Sequence, residues 1–219
     1  MNDAQIRRQP QQERSKARVE TILDVALELI VKFGAENLAI REVARRAGVP
    51  IGSLYQYFPS KTAIIRELAK RNLERVASML QGELDRLLVE YGGRPTPAQA
   101  VNRVVDAYYT HYRDHPSATA VWAGAQADSV LRQLDASDTR HTAEFLTPSI
   151  MVVLSLADRD SAFALAMLLA EVTGSAARLS LAVPSPLREQ IIAKLKIMLT
   201  ATLEAHRPTA AALPGQATP

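Results

Sequence analysis

Cysteine is absent from this chain. Its absence excludes disulfide bridges, thiolate zinc sites and cysteine nucleophiles, and it suits a reducing cytoplasm. Long apolar runs are also missing. The first 20 residues contain no signal-peptide core, and stretches such as 150–154 and 162–170 are shorter than the roughly 18 residues that a membrane-spanning helix needs. We therefore expect a cytoplasmic protein without a membrane partner.

Net charge is scarce as well, at +3 over 219 residues, which is too little to indicate a partner. Its distribution is more informative. Residues 1–75 hold 14 Lys and Arg against 9 Asp and Glu, a net charge of +5, whereas the remaining residues hold 12 against 14, a net charge of −2. A basic first third suits contact with a polyanion, although a chance asymmetry explains the same numbers equally well.

Residue constellations that carry catalysis are not found in the sequence. Ser117 lies beside His115 but has neither a nucleophile elbow nor a third partner. No glycine loop of the phosphate-cradling type is present. His111 and His115 share a helical face, but no carboxylates complete a metal site. We expect no enzymatic activity, no cofactor and no metal.

Helical periodicity runs through nearly the whole chain. Apolar residues recur at spacings of three and four, and no segment alternates long enough to indicate a strand. Glycine and proline divide the pattern into about nine predicted helices, and Pro148 should kink or split the seventh. These helices are predicted at 15–33, 40–47, 51–58, 61–90, 96–114, 117–134, 138–157, 160–182 and 185–205. The predicted fold class is all-α, with an N-terminal three-helix domain before a larger helical bundle.

Residues 38–61, LAIREVARRAGVPIGSLYQYFPSK, have the pattern of a helix-turn-helix. Gly48 supplies the positive φ that the turn needs. The exposed face of the second helix carries short, polar and aromatic residues, which suit a helix that enters a DNA major groove. Gly52 lets the backbone approach the sugar-phosphate wall. Arg41 and Lys61 lie on either side of this helix and are candidates to hold bases or phosphates.

This stretch resembles the DNA-binding domain of the TetR family of repressors. The resemblance covers about residues 15–75, and the rest of the chain agrees with the family only in being helical. The matching residues are Arg41, Glu42, Val43, Ala44, Ala47, Gly48, Val49, Gly52, Leu54, Tyr55, Tyr57, Phe58 and Lys61, with Gly34 at the end of the first helix. The resemblance implies an all-α homodimer that binds a near-palindromic operator in double-stranded DNA and is released by a small-molecule effector.

Carried over by position, the resemblance implies a set of DNA contacts. The first group is Arg41, Ser53, Tyr57 and Lys61, and the second is Ile51, Gly52, Tyr55 and Gln56. Two positions depart from the family. Ala39 stands where Thr or Ser often caps the supporting helix, and Pro50 stands where Ser is common. We therefore expect packing against the first helix, rather than a side-chain cap, to hold the start of the reading helix.

The second domain holds aromatic, methionine and polar side chains that each suit a core position. As a group they are candidates to line a pocket for an apolar or aromatic ligand. They are Tyr108, His111, Tyr112, Trp122, Phe145, Met151, Met167 and Arg178. Helices 160–182 and 185–205 carry small and apolar residues that suit a dimer interface.

The predicted domain order is a flexible basic arm at 1–14, a DNA-binding domain at 15–75, a ligand-binding and dimerisation domain at 76–206, and a disordered tail at 207–219. The arm either lies along a minor groove or is disordered. The functional hypothesis is a ligand-responsive transcriptional repressor. The alternatives are an activator, a regulator without a ligand, and a small-molecule-binding helical protein whose DNA-binding motif is vestigial.

Overall fold

The computed structural model describes the backbone of residues 8–127 and 129–207, and the side chains of 13–123 and 139–207. Every regular element in these ranges is an α-helix, which confirms the predicted fold class. The nine helices are α1 (Arg8–Phe33), α2 (Ile40–Arg46), α3 (Ile51–Tyr57), α4 (Lys61–Glu90), α5 (Pro97–Asp114), α6 (Pro116–Ala127), α7 (Ser129–Leu154), α8 (Arg159–Leu181) and α9 (Leu187–Ala205).

Two helices, α1 and α7, begin more than one residue earlier than the sequence predicted. α1 begins at Arg8 rather than Ser15, because Pro10 lies in the first turn, where no intrahelical N–H is required. α7 begins at Ser129 rather than at residue 138. Residues 135–137 include neither glycine nor proline, so no helix breaker separates them from the rest of α7. Of the predicted tail at 207–219, residues 208–219 lie outside the described residues.

Of the two predicted effects of Pro148, a kink or a split, the split does not occur, because Pro148 lies inside α7. Proline removes one backbone hydrogen bond and crowds the preceding turn. It is exposed here, whereas Ala143, Ile150 and Leu154 of the same helix are buried in the core. The apolar burial on that face offsets one lost hydrogen bond.

The first turns of α4 and α5 carry side-chain caps. The Ala63 amide donates to Ser60 Oγ at 3.2 Å, just inside the start of α4. Before α5, the Thr96 amide donates to Gln99 Oε1 at 2.8 Å and the Gln99 amide donates to Thr96 Oγ1 at 3.3 Å. This reciprocal pair is a capping box, which satisfies amides that the first helical turn leaves without a partner.

The chain forms two compact units. The first unit comprises the described residues up to Leu73 together with His115–Asp135. Its core joins α1, α2, α3 and the first half of α4, and α6 packs on α1 and adds Val121 to the same cluster. The predicted second domain, 76–206, includes residues 115–135. They lie in the first unit because the apolar face of α6 is buried on α1.

The second unit comprises Glu74–Asp114 and the described residues from Ala136 onward. α5, α8 and α9 pack on one another, and their apolar faces form the main core with the second half of α7. α8 is long and apolar enough to cross a membrane by length and composition, because Glu171 is the only charged residue between Ser161 and Ala177. Residues buried at helical spacing along α8 are those of a core helix.

Candidate nucleic-acid interface

The turn between α2 and α3 is built on Gly48, which has a φ of +65°. A β-carbon is disfavoured at this φ, so the residue type predicted for the turn is the one that the backbone requires. The Val49 amide donates to the Ala44 carbonyl at 3.0 Å and closes the turn. Val43 and Ala44 of α2 are buried in the core of the first unit. This packing fixes α2, and the turn at Gly48 then sets where α3 begins.

The start of α3 has no side-chain cap, as the sequence predicted from Pro50. The Ser53 and Leu54 amides donate to the Pro50 carbonyl at 2.9 and 3.1 Å. Leu54 is fully buried and Phe58 is nearly so, both in the core that α1 shares. α2 likewise begins at Ala39 without a side-chain cap. Apolar packing on the first helix therefore anchors the motif.

The outward face of α3 consists of the residues that the sequence singled out. Ile51 and Tyr55 are 40% and 49% exposed despite their apolar area, and Gly52 and Gln56 are exposed beside them. Ser53 is half-buried at the edge of this face. A short helix with one buried anchor and one uncharged outer face has the geometry of a helix that reads a major groove.

Tyr57 connects the end of α3 to α1. Its ring is half-buried against the core of the first unit. Ser15 Oγ donates to Tyr57 Oη at 3.1 Å, across 42 residues of sequence. No sequence pattern predicts this bond, because it forms only when Ser15 of α1 lies beside Tyr57 at the end of α3. Tyr57 is therefore fixed on both its ring and its hydroxyl.

The two flanking basic residues differ in how they are held. Lys61 begins α4, as predicted, and its Nζ donates to the Glu36 carbonyl at 3.0 Å in the loop between α1 and α2. Arg41 is exposed in the first turn of α2. Among the residues whose side chains the structure describes, none forms a hydrogen bond or ion pair with Arg41. Arg41 therefore projects an uncompensated charge beside the reading helix.

Arg45 and Arg46 are occupied by a neighbour on the same helix. Arg45 Nη2 and Arg46 Nε lie 2.7 and 2.6 Å from Glu42 Oε1. The hydrogen bonds from Arg45 and then Arg46 lower the pKa of Glu42 to about 2. The two arginines are exposed on the solvent-facing side of α2. Glu42 cancels part of their charge on the side of α2.

Arg71 joins α1 to α4 and was not anticipated from the sequence. Its Nη2 donates to Glu20 Oε1 of α1 at 2.9 Å, and its Nε donates to Glu67 Oε1 of α4 at 3.0 Å. The Arg71 hydrogen bond lowers the pKa of Glu20 below its ordinary value. The i, i+4 pair with Glu67 was visible in the sequence, but the bond to Glu20 joins residues 51 apart and forms only when α1 and α4 lie side by side.

The residues predicted to line a ligand pocket do not all lie together. Tyr108 and Tyr112 have ring centroids 4.9 Å apart, and buried His111 lies edge-on to Tyr112 at 5.2 Å. Phe145, Met151 and Met167 are half-buried against the core of the second unit. Arg178 donates to Ser175 Oγ at 2.9 Å. Trp122 belongs to the first unit instead.

A close approach within the second unit was not readable from the sequence. Gly174 is buried, and a β-carbon there would lie 3.0 Å from Arg178 Nη1 and 3.4 Å from Tyr108 Oη. Because Gly174 has no side chain, the Arg178 guanidinium and the Tyr108 hydroxyl of α5 can both lie close to the backbone of α8 at this position. This contact places two of the predicted polar and aromatic pocket residues beside each other.

The first unit also has an open groove of about 400 Å3 between α1 and α2. Apolar spacing along α1 predicts a core position for Phe33, but Phe33 lines this groove and is 48% exposed. Phe33 is the last residue of α1, and the chain turns away at Gly34, which has a φ of +83°. None of the predicted pocket residues lines this groove.

Comparison with protein families gives two matches to this chain. Residues 22–68 match the model of bacterial regulatory proteins of the tetR family. Residues 95–207, more than half of the chain, match the model described as the tetracyclin repressor-like C-terminal domain. The first match includes the whole helix-turn-helix, and the second runs from the linker before α5 to the end of α9.

Relatives and solved structures agree with these matches. The transcriptional repressor KstR of Mycolicibacterium smegmatis is 34% identical over 105 residues, 48% of this chain and 46% of that protein. KstR of Rhodococcus jostii is 44% identical over 63 residues, 29% of this chain and 30% of that protein. The chain thus spans about half or less of these relatives.

Among solved structures, a TetR-family regulator from Streptomyces coelicolor superposes with a TM-score of 0.64 at 29% identity, and the match covers 86% of this chain and 98% of that one. A regulator from Pseudomonas aeruginosa shares the fold, with a TM-score of 0.67 at 18% identity over 88% of this chain and 93% of that one. The chain belongs to the TetR family of bacterial transcriptional regulators.

Proposed function

We propose that this protein is a repressor that binds a near-palindromic DNA operator as a homodimer and leaves it when a small apolar or aromatic ligand binds. One observation carries the proposal: the outer face of α3 is exposed and uncharged, while Leu54 behind it is fully buried. A motif that no longer bound DNA would have no reason to retain both the exposed, uncharged outer face and the buried Leu54 behind it. The KstR relatives, which are named as repressors, favour repression over activation.

The operator is testable with DNA from the protein's own promoter. Gel shifts should reveal one duplex that is bound far more tightly than scrambled duplexes of the same length, with affinity that falls steeply as salt rises. The sequence preference comes from the face of α3, and the salt dependence comes from Arg41, Lys61 and the other basic groups of the first unit. Equal affinity for every duplex would refute the proposal of a sequence-specific repressor.

The homodimer is supported by the outer faces of α8 and α9. Leu168 and Leu179 of α8 are exposed, and so are Ile197 and Met198 of α9. α8 and α9 pack on each other, so these side chains form an apolar surface suited to a second copy of the chain. In a two-fold dimer on DNA, the two α3 helices would lie about 34–36 Å apart, one helical turn.

The ligand proposal rests on the second unit. Tyr108, His111 and Tyr112 form an aromatic cluster on α5. Met151 and Met167 pack against the core of the second unit. Aromatic and methionine side chains around a few polar groups suit an apolar or aromatic molecule. A thermal-shift screen of such metabolites should find compounds that raise the melting temperature. Those compounds should then release the operator in a gel shift; stabilisation without release would refute a ligand that acts on DNA binding.

A further inference from the structure

The bond between Ser15 and Tyr57 places a second hydroxyl behind the reading helix. We propose that Ser15 is a positioning residue, which holds the Tyr57 hydroxyl so that its proton points at a DNA phosphate. The inference rests on the proposed DNA-binding function and adds a residue of α1 to it. Its basis is the 3.1 Å contact from Ser15 Oγ to Tyr57 Oη, in a unit where the Tyr57 ring is itself fixed by core packing.

The chemistry of two hydroxyls explains the arrangement. Each hydroxyl has one proton to donate and can also accept, so the 3.1 Å contact allows Ser15 to donate while Tyr57 accepts. In that arrangement the phenol proton of Tyr57 is left for another partner. A phosphate oxygen can only accept, so its approach favours this same direction of donation. A chain from Ser15 through Tyr57 to phosphate also polarises each bond, which strengthens both.

The charges around Ser15 suit a phosphate. Arg14, Lys16 and Arg18 are exposed on α1 beside Ser15. Within the part of the chain whose side chains are described, none of the three forms an ion pair. Arg14 and Arg18 are one helical turn apart and so share a face. The local potential therefore attracts the DNA backbone toward the end of α1 where Ser15 and Tyr57 meet.

The test uses the full-length protein and a duplex that the wild-type protein selects from a random-sequence pool. Tyr57→Phe removes the phenol proton and should weaken binding about 10- to 100-fold. Ser15→Ala should weaken it about three- to tenfold, and Ser15→Thr, which keeps the hydroxyl, should remain within about twofold of wild type. In the Tyr57→Phe background, Ser15→Ala should have no further effect, because the relay is already broken.

A second readout separates positioning from a structural role. Single phosphates of the duplex are replaced by methylphosphonates, which lack the charged oxygen. The informative phosphate is the one whose replacement weakens the wild-type protein but not Tyr57→Phe. At that phosphate, Ser15→Ala should show a smaller penalty than wild type. Loss of α1 packing alone would leave this penalty unchanged, and alanine is itself a better helix former than serine.

The outcomes distinguish the relay from the proposed function. If the wild-type protein selects no duplex, both ideas fail. If it selects one, and Ser15→Ala binds like wild type or retains the full methylphosphonate penalty, only the relay is overturned. The relay would also be overturned if Ser15→Ala and Tyr57→Phe weakened DNA binding independently, so that their effects multiplied in the double variant. It would likewise be overturned if Ser15→Thr bound DNA as weakly as Ser15→Ala. A thermal melt of each variant verifies that it is folded.

Discussion

Replacing Gly52 with alanine should separate DNA binding from stability, because it should stabilise the free protein and weaken its binding to DNA. Gly52 is the second residue of α3, and a β-carbon there would meet nothing within 4 Å. Alanine is favoured over glycine in a helix and restricts the unfolded chain. We expect the free protein to gain about 0.5–1 kcal/mol, which raises the melting temperature by about 1–4 °C for a chain of this size.

On DNA the same methyl group should be unfavourable. Gly52 lies on the outward face of α3 between Ile51 and Ser53, where the backbone would lie nearest the groove wall. A methyl group inserted into a close contact costs about 1–3 kcal/mol, which corresponds to a loss of about 5- to 150-fold in affinity. Fluorescence anisotropy with a labelled operator measures this loss, and circular dichroism measures the melt.

Gly82 offers a matched control. It lies inside α4, and a β-carbon there would be 3.8 Å from the nearest atom, Arg86 Nη1, which is ordinary contact. Gly82→Ala should therefore raise the melting temperature in the same way and leave operator affinity unchanged. If Gly52→Ala binds the operator as tightly as wild type, the close approach of α3 to DNA is wrong. If Gly82→Ala weakens binding equally, the effect of Gly52→Ala is not local.

Three further predictions test the charges and the dimer. Lys61→Ala should weaken binding across all sequences and reduce the slope of log affinity against log salt by about 1; an unchanged slope would show that Lys61 touches no phosphate. Leu168→Glu should convert the dimer to a monomer in sedimentation velocity, whereas Val89→Glu, at a site 84% exposed on α4, should leave it intact. Hydrogen bonds from Arg45 and Arg46 lower the pKa of Glu42 to about 2. The stabilising contribution of Glu42 is therefore fully present above its ordinary pKa of 4.5 and is lost as the pH falls toward 2. An NMR titration of the Glu42 carboxyl with a midpoint near 4.5 would contradict the pairing.

The helix-turn-helix was predictable because its signals are local. Gly48 sets the turn by its φ, and Pro59 breaks the chain after α3, so the predicted reading helix differs from the observed one by a single residue. Apolar spacing of three and four identified Leu54 and Phe58 as core positions. The absence of a cap at Pro50 followed directly from its side chain, which has no hydrogen-bonding group.

Errors arose where packing overrides local preference. Pro148 is a helix breaker by type, but the buried face of α7 carries the helix through it. Phe33 continues the apolar stripe of α1, yet it is exposed because the chain turns at Gly34 immediately after it.

The sequence by itself therefore determined the fold class, the position of the motif and the outward face of α3, since each depends on spacing within a few turns of helix. Only the tertiary structure decided which distant groups support that face. The bond from Ser15 to Tyr57 joins residues 42 apart, and the clamp from Arg71 to Glu20 joins residues 51 apart. No periodicity encodes such pairs, because they form only when α1 packs against α3 and α4.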